Sequence, residues 1–292
     1  MRQRLAILGD VHGNARALRA ALARVREASP DGVVFLGDLL SYGPDVDEVL
    51  DLVAGAVADG ARLVLGNHDL LYRDLLQGER SYRDRLPPWL GETVDHTFAQ
   101  LAAGPPERLL DLPFERAITL GPLYIAHANP FGDEVLPRSG PFTVSGAGAE
   151  RTVPDWRYLN HAEDYSLAAA ALQARGVWAG MFGHTHRPRI VRWPAATGVH
   201  DEVCPALVGF RPEHEDDTLV LNAGSVGQPR NLAGRSTVCC VTLGGLEDPL
   251  DVEIETLEYD VAGHLAAVAA LPLSKTARDR LAAFFVRAGT PG

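Results

Sequence analysis

Cysteine and lysine are scarce in this 292-residue chain, and their scarcity argues against particular structures and functions. Cysteine occurs only at 204, 239 and 240. Cys239 and Cys240 are adjacent, and because neighbours in a strand point to opposite faces, we expect no disulfide framework. Lys275 is the only lysine, and 38 acidic residues against 27 basic ones give a formal net charge of -11. This charge argues against a grip on nucleic acid or on an anionic membrane as the main function.

Long apolar runs are absent as well. The N-terminal run "LAIL" ends at Gly9 and Asp10, so it is too short for the core of a signal peptide, and no other run approaches membrane-spanning length. Hydrophobic residues make up 46% and charged residues 22%, as in ordinary globular enzymes. We expect a reduced, soluble, cytoplasmic protein with enough apolar content for a core.

The first part of the chain alternates short apolar runs with helical patterns. The runs are Leu5 to Leu8, "GVVFLGD" and "RLVLGNHD", and the helical segments are Ala15 to Ala28 and Asp45 to Ala58. Such alternation indicates βαβ units and a mainly parallel sheet, whose functional sites gather at the carboxyl ends of the strands. After "GVWAGMFGHTH" the pattern changes to strands, in "PRIVRW", "TLVLNAGSV", "STVCCVTL" and "DVEIETLEY", and the tail from Val261 is helical.

The middle of the chain is predicted to contain insertions between the strands and helices of this pattern. Residues 72–116 are predicted to be a helical, polar insertion over the site, and "AITLGPLYIAHANP" a hairpin. Residues 131–151 are rich in Gly, Pro and Ser and are predicted to be a loop; "DWRYLNHAEDYSLAAAALQARG" is predicted to be a helix closed by Gly176. We therefore expect one domain over residues 1–292, with insertions at about 72–116 and 131–175. Its two sheets would pack face to face with helices outside, around one site.

Polar side chains stand where the apolar runs end. In "FGHTHRP", His184 and His186 are two residues apart, so in a strand they would point to the same side. The other positions of this kind are Asp10, His12, Asp38, Asn67, His68, Asp69 and His127. Carboxylate, amide and imidazole ligands suit Mn, Fe, Ni, Co or Zn, and the lack of cysteine argues against a structural zinc site.

Each of these residues has another interpretation when it is taken alone. Asp10 and Asp38 could be helix N-caps, and His127 a hydrogen-bonded core histidine. "GNHD" could be a tight turn, and the histidine pair could lie exposed in a loop. Their order on successive strand ends is what favours a metal site.

The motifs "GDVHGN", "GDLLSYGP", "GNHD", "AHANP" and "GHTHRP", between Gly9 and Pro188, resemble those of the calcineurin-like metallophosphoesterase superfamily. "NAGSVGQPRN" further resembles a prokaryotic branch with phosphodiesterase-like or phosphatase-like members. The resemblance implies an α/β fold, a four-layer α/β/β/α sandwich of two mixed sheets flanked by helices. It also implies two divalent transition-metal ions, which together can clamp a phosphoryl group and activate a shared water.

The resemblance assigns roles to individual residues. The first metal would be held by Asp10, His12, Asp38 and His186; Asp38 would bridge to a second metal, completed by Asn67, His127 and His184. His68 would stand over the phosphate and protonate the leaving oxygen or stabilise charge on it. Asp69 could orient His68 through a hydrogen bond to its other ring nitrogen.

Substrate contacts are harder to predict from the sequence. Arg230 is the best candidate for a phosphate-binding guanidinium because its loop leaves a strand near the expected site. Tyr42 closely follows Asp38 and could border the pocket. For Arg138, Arg151, Arg157 and Tyr158 the sequence assigns no role, and solvated surface positions are the simpler interpretation.

These observations predict a metal-dependent phosphoesterase acting on a small phosphorylated molecule. A phosphodiesterase or a hydrolase of nucleotides such as dinucleoside polyphosphates is the first choice, and a phosphomonoester or phosphoprotein phosphatase is the near alternative. A metal-bound regulatory module with vestigial activity is disfavoured by the complete ligand set and His68. A nuclease is disfavoured by the acidic charge.

Overall fold

The computed structural model describes residues 2–79, 86–136, 151–194, 199–200, 206–230 and 234–285. Strands and helices alternate at the start of the chain, as predicted. The elements there are β1 (Gln3–Leu8), α1 (Ala15–Ala28), β2 (Gly32–Phe35), α2 (Val46–Ala58), β3 (Arg62–Val64) and α3 (Asn67–Leu76). Apolar residues at helical spacing bury one face of α1, and the side chain of Asn14 caps its first turn by accepting from the amide of Ala17.

The rest of the chain contains helices and short strands in the middle and two long strands, β14 and β15, near the end. In order they are α4 (Pro88–Ala103), α5 (Glu107–Leu110), β4 (Phe114–Glu115), β5 (Ala117–Leu120), β6 (Leu123–Ala126), β7 (Asp133–Leu136), β8 (Arg151–Pro154), α6 (Ala162–Gln173), β9 (Ala179–Phe182), β10 (Arg189–Trp193), β11 (Val199–His200), β12 (Ala206–Phe210), β13 (Thr218–Asn222), β14 (Ser236–Leu243), β15 (Leu250–Leu257), α7 (Val261–Ala269) and α8 (Lys275–Ala283). Among the helices that the structure describes, none is long and apolar enough to cross a lipid bilayer.

The strands form two mixed sheets and a separate hairpin. The first sheet has the order β12-β15-β14-β1-β2-β3-β4, and the second has the order β11-β10-β13-β9-β6-β5. Strands β1 to β4 run parallel, as do β6, β9 and β13 in the second sheet. The pairs β1 with β14 and β5 with β6 are antiparallel, the latter as the predicted hairpin.

Alternation along β1 shows how the layers are held together. Leu5 and Ile7 face the core between the two sheets, whereas Ala6 and Leu8 face the core under α1 and α2. On the far side, α6 packs on the second sheet through residues such as Leu172. Full burial of each large apolar side chain contributes about 1.5–3 kcal/mol. The predicted four-layer α/β/β/α sandwich is confirmed.

Two predictions for the middle of the chain are wrong in part. Residues 133–136 of the predicted loop form strand β7, because they pair antiparallel with β8; residues 137–150 lie outside the described part of the chain. The predicted helix after Asp155 begins only at Ala162, and its first turn is capped when Asp164 accepts from the amide of His161. Asp155 to His161 instead form a loop, which the carboxylate of Asp155 holds by accepting from Arg157 and Asn129.

The expected insertions differ in how they join the fold. In the segment 72–116, α4 and α5 precede β4, which adds to the edge of the first sheet beside β3; residues 80–85 lie outside the described part. In the segment 131–175, α6 is one of the four layers rather than an addition. The single domain over residues 1–292 stays a prediction.

Candidate metal centre

Two groups of metal-capable side chains meet at the carboxyl ends of the parallel strands, and they share Asp38. One group is Asp10, His12, Asp38 and His186; the other is Asp38, His127 and His184. Within each group the potential ligand atoms all lie within 4.8 Å of one another, and every residue is buried. Asn67 stands beside the second group, with its Oδ1 3.0 Å from Nε2 of His127. The structure thus brings together all seven residues that the sequence predicts as ligands.

Two of the alternative interpretations, the helix caps and the exposed histidine pair, do not hold. Asn14 and Asp45 occupy the N-cap positions of α1 and α2, so Asp10 and Asp38 are not helix caps. The two histidines of "GHTH" are buried rather than exposed in a loop.

Each histidine of the two groups donates one ring N–H to a backbone carbonyl. The pairs are His12 Nδ1 with Leu40 at 2.9 Å, His127 Nδ1 with Leu36 at 2.7 Å, His186 Nδ1 with Gln228 at 2.9 Å, and His184 Nε2 with Trp156 at 2.9 Å. Because a carbonyl oxygen can only accept, these contacts fix the tautomers and leave the second ring nitrogen of each neutral imidazole as an acceptor. Those acceptor nitrogens point into the two groups.

The acceptor nitrogens approach one another closely. Nε2 of His12 lies 3.0 Å from Nε2 of His186, and Nε2 of His127 lies 3.2 Å from Nδ1 of His184. Two lone pairs at such distances repel each other unless a proton or a cation stands between them. A cation in each group removes the repulsion and engages the adjacent carboxylates, so this donor set fits a pair of divalent transition-metal ions.

The charges of the groups depend on one another. Burial alone would raise the pKa of Asp38, but the surrounding histidines, His127 first, hold it well below its usual range. Burial opposes a charge on His127, yet the carboxylate of Asp38 outweighs it and raises the pKa of His127 to about 9. Burial and the neighbouring histidines lower the pKa of His12 and His184. A metal ion would therefore meet neutral His12 and His184 and would have to displace a proton from His127.

The backbone at the site is strained. Positive φ angles occur at Asp10 (37°), His12 (47°), Asp38 (51°), His184 (65°) and His186 (58°). The left-handed conformation costs an L-residue roughly 1–2 kcal/mol, and such costs persist where the surroundings fix the chain for function. The strained turns aim five side chains at one point just past the strand ends.

Small residues let the strand ends approach one another. A Cβ atom on Gly183 would lie 2.6 Å from Oδ2 of Asp10, so a larger residue would push that carboxylate out of place. The carboxylate in turn accepts from the backbone amide of His184 at 3.1 Å. Ser225, in the loop after β13, donates to the carbonyl of Asp10 at 2.8 Å.

His68 is buried next to the metal ligands at the start of α3. Its backbone amide donates to Oδ1 of Asp38 at 2.8 Å, and its ring lies 5.2 Å from that of His12. Nδ1 lies 2.7 Å from Oγ of Ser41, which is also 2.8 Å from the hydroxyl of Tyr72. Burial lowers the pKa of His68. Ser41 therefore orients this imidazole.

The prediction that Asp69 orients His68 is wrong. Its carboxylate accepts instead from three backbone amides, those of Asp38 at 2.7 Å, Leu39 at 2.9 Å and Gly66 at 3.0 Å. The carboxylate of Asp69 is directed into the junction between the ends of β2 and β3, whereas the ring of His68 is directed away from that junction. Burial, followed by the charge of Asp38, raises the pKa of Asp69 to about 7.

The predicted substrate residues lie around the centre. The ring of Tyr42 meets that of His12 edge-on at 4.7 Å, and its hydroxyl lies 3.4 Å from Nε2 of His68. The backbone amide of Arg230 donates to the carbonyl of His186 at 3.4 Å, which places this residue beside the first group. Arg157 is half-exposed and pairs with Asp155. Arg138 and the side chain of Arg151 lie outside the described part of the chain.

Sequence reasoning missed Ser41 and Trp156 and assigned no role to Tyr158. Trp156 packs edge-on against His127 with ring centroids 5.7 Å apart, and Tyr158 stacks on His184 at 4.2 Å with an interplanar angle of 21°. For Ser41 a signal existed, because it lies in "GDLLSYGP" beside Tyr42. For the two aromatic residues none did, because their segment follows a helical pattern.

A buried double site of carboxylate, amide and imidazole groups between two sheets defines a metallohydrolase. A family model described as calcineurin-like phosphoesterase matches residues 3–188, and the chain belongs to this family. The sequence-based resemblance is confirmed, and the protein is a metal-dependent phosphoesterase.

Several proteins are similar to this chain over most of its length. Protein MJ0912 of Methanocaldococcus jannaschii is 23% identical over 88% of each chain. A Bacillus velezensis protein named bis(5'-nucleosyl)-tetraphosphatase PrpE, asymmetrical, is 31% identical over 72% of this chain and 89% of its own. The solved metallophosphoesterase of Sphaerobacter thermophilus shares the fold with a TM-score of 0.68, at 23% identity over 97% of this chain and 99% of that one. Matches to proteins named symmetrical bis(5'-nucleosyl)-tetraphosphatases are local and cover 23% to 35% of those proteins.

Proposed function

We propose that this protein hydrolyses a phosphoanhydride bond of a dinucleoside polyphosphate. The observation that carries the two-ion chemistry is the pair of buried ligand groups that share Asp38. The choice of substrate is supported by the name of the Bacillus velezensis relative, which aligns with 72% of this chain. A carboxylate between two cations is suited to hold them at the separation that phosphoryl transfer requires.

In this proposal one ion is held by Asp10, His12, Asp38 and His186, and the other by Asp38, Asn67, His127 and His184. When bound, the two ions supply Lewis-acid polarisation of the phosphoryl group and an activated water. The protein fixes their positions through the four histidine-to-carbonyl hydrogen bonds and through the strained turns. Because these supports are backbone groups, the ligands are oriented before the substrate binds.

His68 is proposed as the proton donor to the leaving oxygen. If the hydroxyl of Tyr72 donates to Ser41 and Ser41 donates to Nδ1 of His68, the ring carries its proton on Nε2. That nitrogen lies on the side of Tyr42, 3.4 Å from its hydroxyl. Burial lowers the pKa of His68 and favours a neutral ring, which would donate a hydrogen bond from Nε2 to the leaving oxygen and stabilise the negative charge that develops there.

The test is a substrate comparison with metal-loaded protein. A dinucleoside tetraphosphate, an aryl phosphodiester, an aryl phosphomonoester and a phosphopeptide are compared at equal concentration with Mn, Fe, Ni, Co and Zn. We expect kcat/KM to be highest for the tetraphosphate, and anion-exchange analysis of its nucleotide products to show whether two diphosphates or a mono- and a triphosphate form.

The control is Asp38→Asn, which removes the charge shared by both groups. It should lose most of the bound metal, measured by elemental analysis, together with activity. A preference for the phosphomonoester or phosphopeptide would overturn the proposal in favour of a phosphatase, and activity on the phosphodiester alone would favour a phosphodiesterase.

A further inference from the structure

A cleft of about 550 Å³ opens beside the metal centre. Its walls include Arg187, Arg189 and Arg230 together with Tyr158, Asn160 and Thr185. This volume lies within the range of small-molecule sites. We call it the arginine cleft.

The arginine cleft is continuous with the metal ligands. Thr185 lies between His184 and His186, and Arg187 follows His186 directly. Tyr158 stacks on His184 with one face of its ring and is 41% exposed, so part of its surface remains open to a ligand. A molecule bound at the metal centre would therefore lie next to the cleft.

The charge of the cleft contrasts with that of the whole chain. The chain has 38 acidic and 27 basic residues, yet the described residues that line the cleft include three arginines and no carboxylate. Within the part of the chain that the structure describes, neither Arg187 nor Arg230 forms an ion pair. Nε of Arg230 is buried and lacks a hydrogen-bond partner among the described residues. Leaving such a group unpaired is costly, and an anion in the cleft would satisfy it.

Two arginines of the cleft are held by neighbouring aromatic residues. Arg189 is 7% exposed, and its guanidinium donates to the hydroxyl of Tyr165 at 2.8 Å. The guanidinium of Arg230 lies 5.9 Å from the ring centroid of Phe284. Fixed guanidinium groups lose little conformational entropy when they bind phosphate.

We propose that the arginine cleft binds the phosphates next to the reacting one, and that Tyr158 stacks on the base of the nucleotide that carries them. The reaction at the metal centre rests on the proposed function above, whereas binding in the cleft can be measured independently. The expected ligand class is a nucleoside polyphosphate. We expect a single orthophosphate bound at the metal centre to make no contact with Arg187.

The first experiment replaces Arg187, which is exposed and so can change without loss of core packing. Calorimetric titration of metal-loaded Arg187→Ala with inorganic tripolyphosphate should show affinity reduced roughly tenfold to a hundredfold, as loss of a charged hydrogen-bonding group implies. The tripolyphosphate affinity of Arg187→Lys should lie between those of wild type and Arg187→Ala, because lysine keeps the positive charge but lacks the planar guanidinium. Orthophosphate affinity should change by less than twofold.

The matched control is Arg192→Ala. Arg192 is an exposed arginine on strand β10, which begins two residues after Arg187, and it lies over Phe210 outside the cleft. It should bind tripolyphosphate as wild type does. Metal content and thermal stability are measured for each variant. Equal tripolyphosphate affinity in wild type and Arg187→Ala would overturn the proposal.

The second experiment distinguishes a nucleotide from a bare phosphate chain. Tyr158→Ala should weaken binding of adenosine triphosphate by roughly tenfold, the value of one base–aromatic stack, and leave tripolyphosphate unchanged. Tyr158→Phe should restore nucleotide binding. If Tyr158→Ala binds adenosine triphosphate as wild type does, or weakens both ligands equally, the stacking role is refuted.

The outcomes separate this inference from the proposed function. Tripolyphosphate binding that depends on Arg187, without hydrolysis of dinucleoside tetraphosphates, would support the cleft and refute the proposed substrate. Hydrolysis of the tetraphosphate with unchanged tripolyphosphate affinity in Arg187→Ala would support the proposed substrate and refute the binding role of the cleft.

Discussion

At the scale of single residues, the hydroxyl of Ser41 orients the ring of His68 through its contact with Nδ1. Ser41 is fully buried and has a φ of 79°, so it lies in a strained turn three residues after the ligand Asp38. Strain at a non-glycine residue is kept where the surroundings need that exact geometry. Here it places Oγ within 2.7 Å of Nδ1 of His68.

Replacement of His68 tests its role in proton transfer. His68→Ala should keep both metals and the substrate KM and lose kcat by roughly 10²–10⁴-fold, the usual contribution of one positioned acid or base. The loss should shrink for an aryl phosphodiester with a good leaving group, because such a leaving oxygen needs little protonation. Steady-state kinetics over a series of leaving groups measures this dependence.

Ser41→Ala supplies the matched test of orientation. It should lower kcat with the same leaving-group dependence, and the double variant with His68→Ala should be no slower than His68→Ala alone, since the two residues act as one unit. An equal loss for good and poor leaving groups would show that His68 stabilises charge on phosphorus instead.

At the scale of secondary structure, Asp69 ties the ends of β2 and β3 to the first turn of α3. It accepts from three backbone amides and is fully buried. Such a carboxylate fixes the turn that carries Asp38 and Gly66, and through it both ligand groups. Its role is to position the ligands, not to contact substrate.

Asp69→Ala should therefore damage the metal site more than His68→Ala does. It leaves three buried amides without their acceptor, which costs on the order of 3 kcal/mol of unfolding free energy. We expect elemental analysis to find less than half of the wild-type metal and denaturant unfolding to show the loss of stability. Full metal content and unchanged unfolding free energy in Asp69→Ala would contradict this positioning role.

The secondary structure also shows which features a sequence can reveal. The strands and their polar ends were predictable, because runs such as Leu5 to Leu8 and the motif "GNHD" are local signals. The loop Asp155–His161 was not, because its helical composition is overridden by distant contacts, such as His184 with the carbonyl of Trp156. Asp69 was misassigned because a carboxylate beside a histidine in sequence can still point away from it in the first turn of a helix.

The arginine cleft escapes prediction for a related reason. Arg187 and Arg230 are 43 residues apart in sequence, and they meet because β10 pairs with β13 and the loops at those strand ends turn to the same side. Nothing in the local pattern around either arginine shows this. Sheet order, which is a property of the whole chain, creates the site.

At the scale of the whole molecule, the C-terminal helices α7 and α8 cover one side of the centre, next to His12. His264 on α7 is buried, and a narrow space that Gln228 and Phe285 line joins it to the neighbourhood of His12. Nδ1 of His264 has no hydrogen-bond partner among the described residues. Burial, and then the positive charge of Arg16, lower the pKa of His264 to about 4.

This buried histidine predicts how stability depends on pH. Its pKa in the folded protein, about 4, lies below the value of about 6.5 in an unfolded chain. Above pH 6.5 it is neutral in both states and contributes no pH dependence. As the pH falls from about 6.5 to about 4, the unfolded chain takes up a proton that the folded protein resists, so stability is lost. By pH 5 the loss should be about 2 kcal/mol.

Denaturant unfolding of the metal-free protein at pH 7.5 and pH 5 measures this loss, with His264→Leu as the comparison. Leucine fills much of the same volume and cannot be protonated, so the variant should lose about 2 kcal/mol less than wild type between the two pH values. The other titrating groups, including those of the ligand set, are common to both proteins and cancel in the difference. If the two proteins lose equal stability between pH 7.5 and pH 5, His264 is hydrated in the folded state, and the C-terminal helices do not seal this side of the centre.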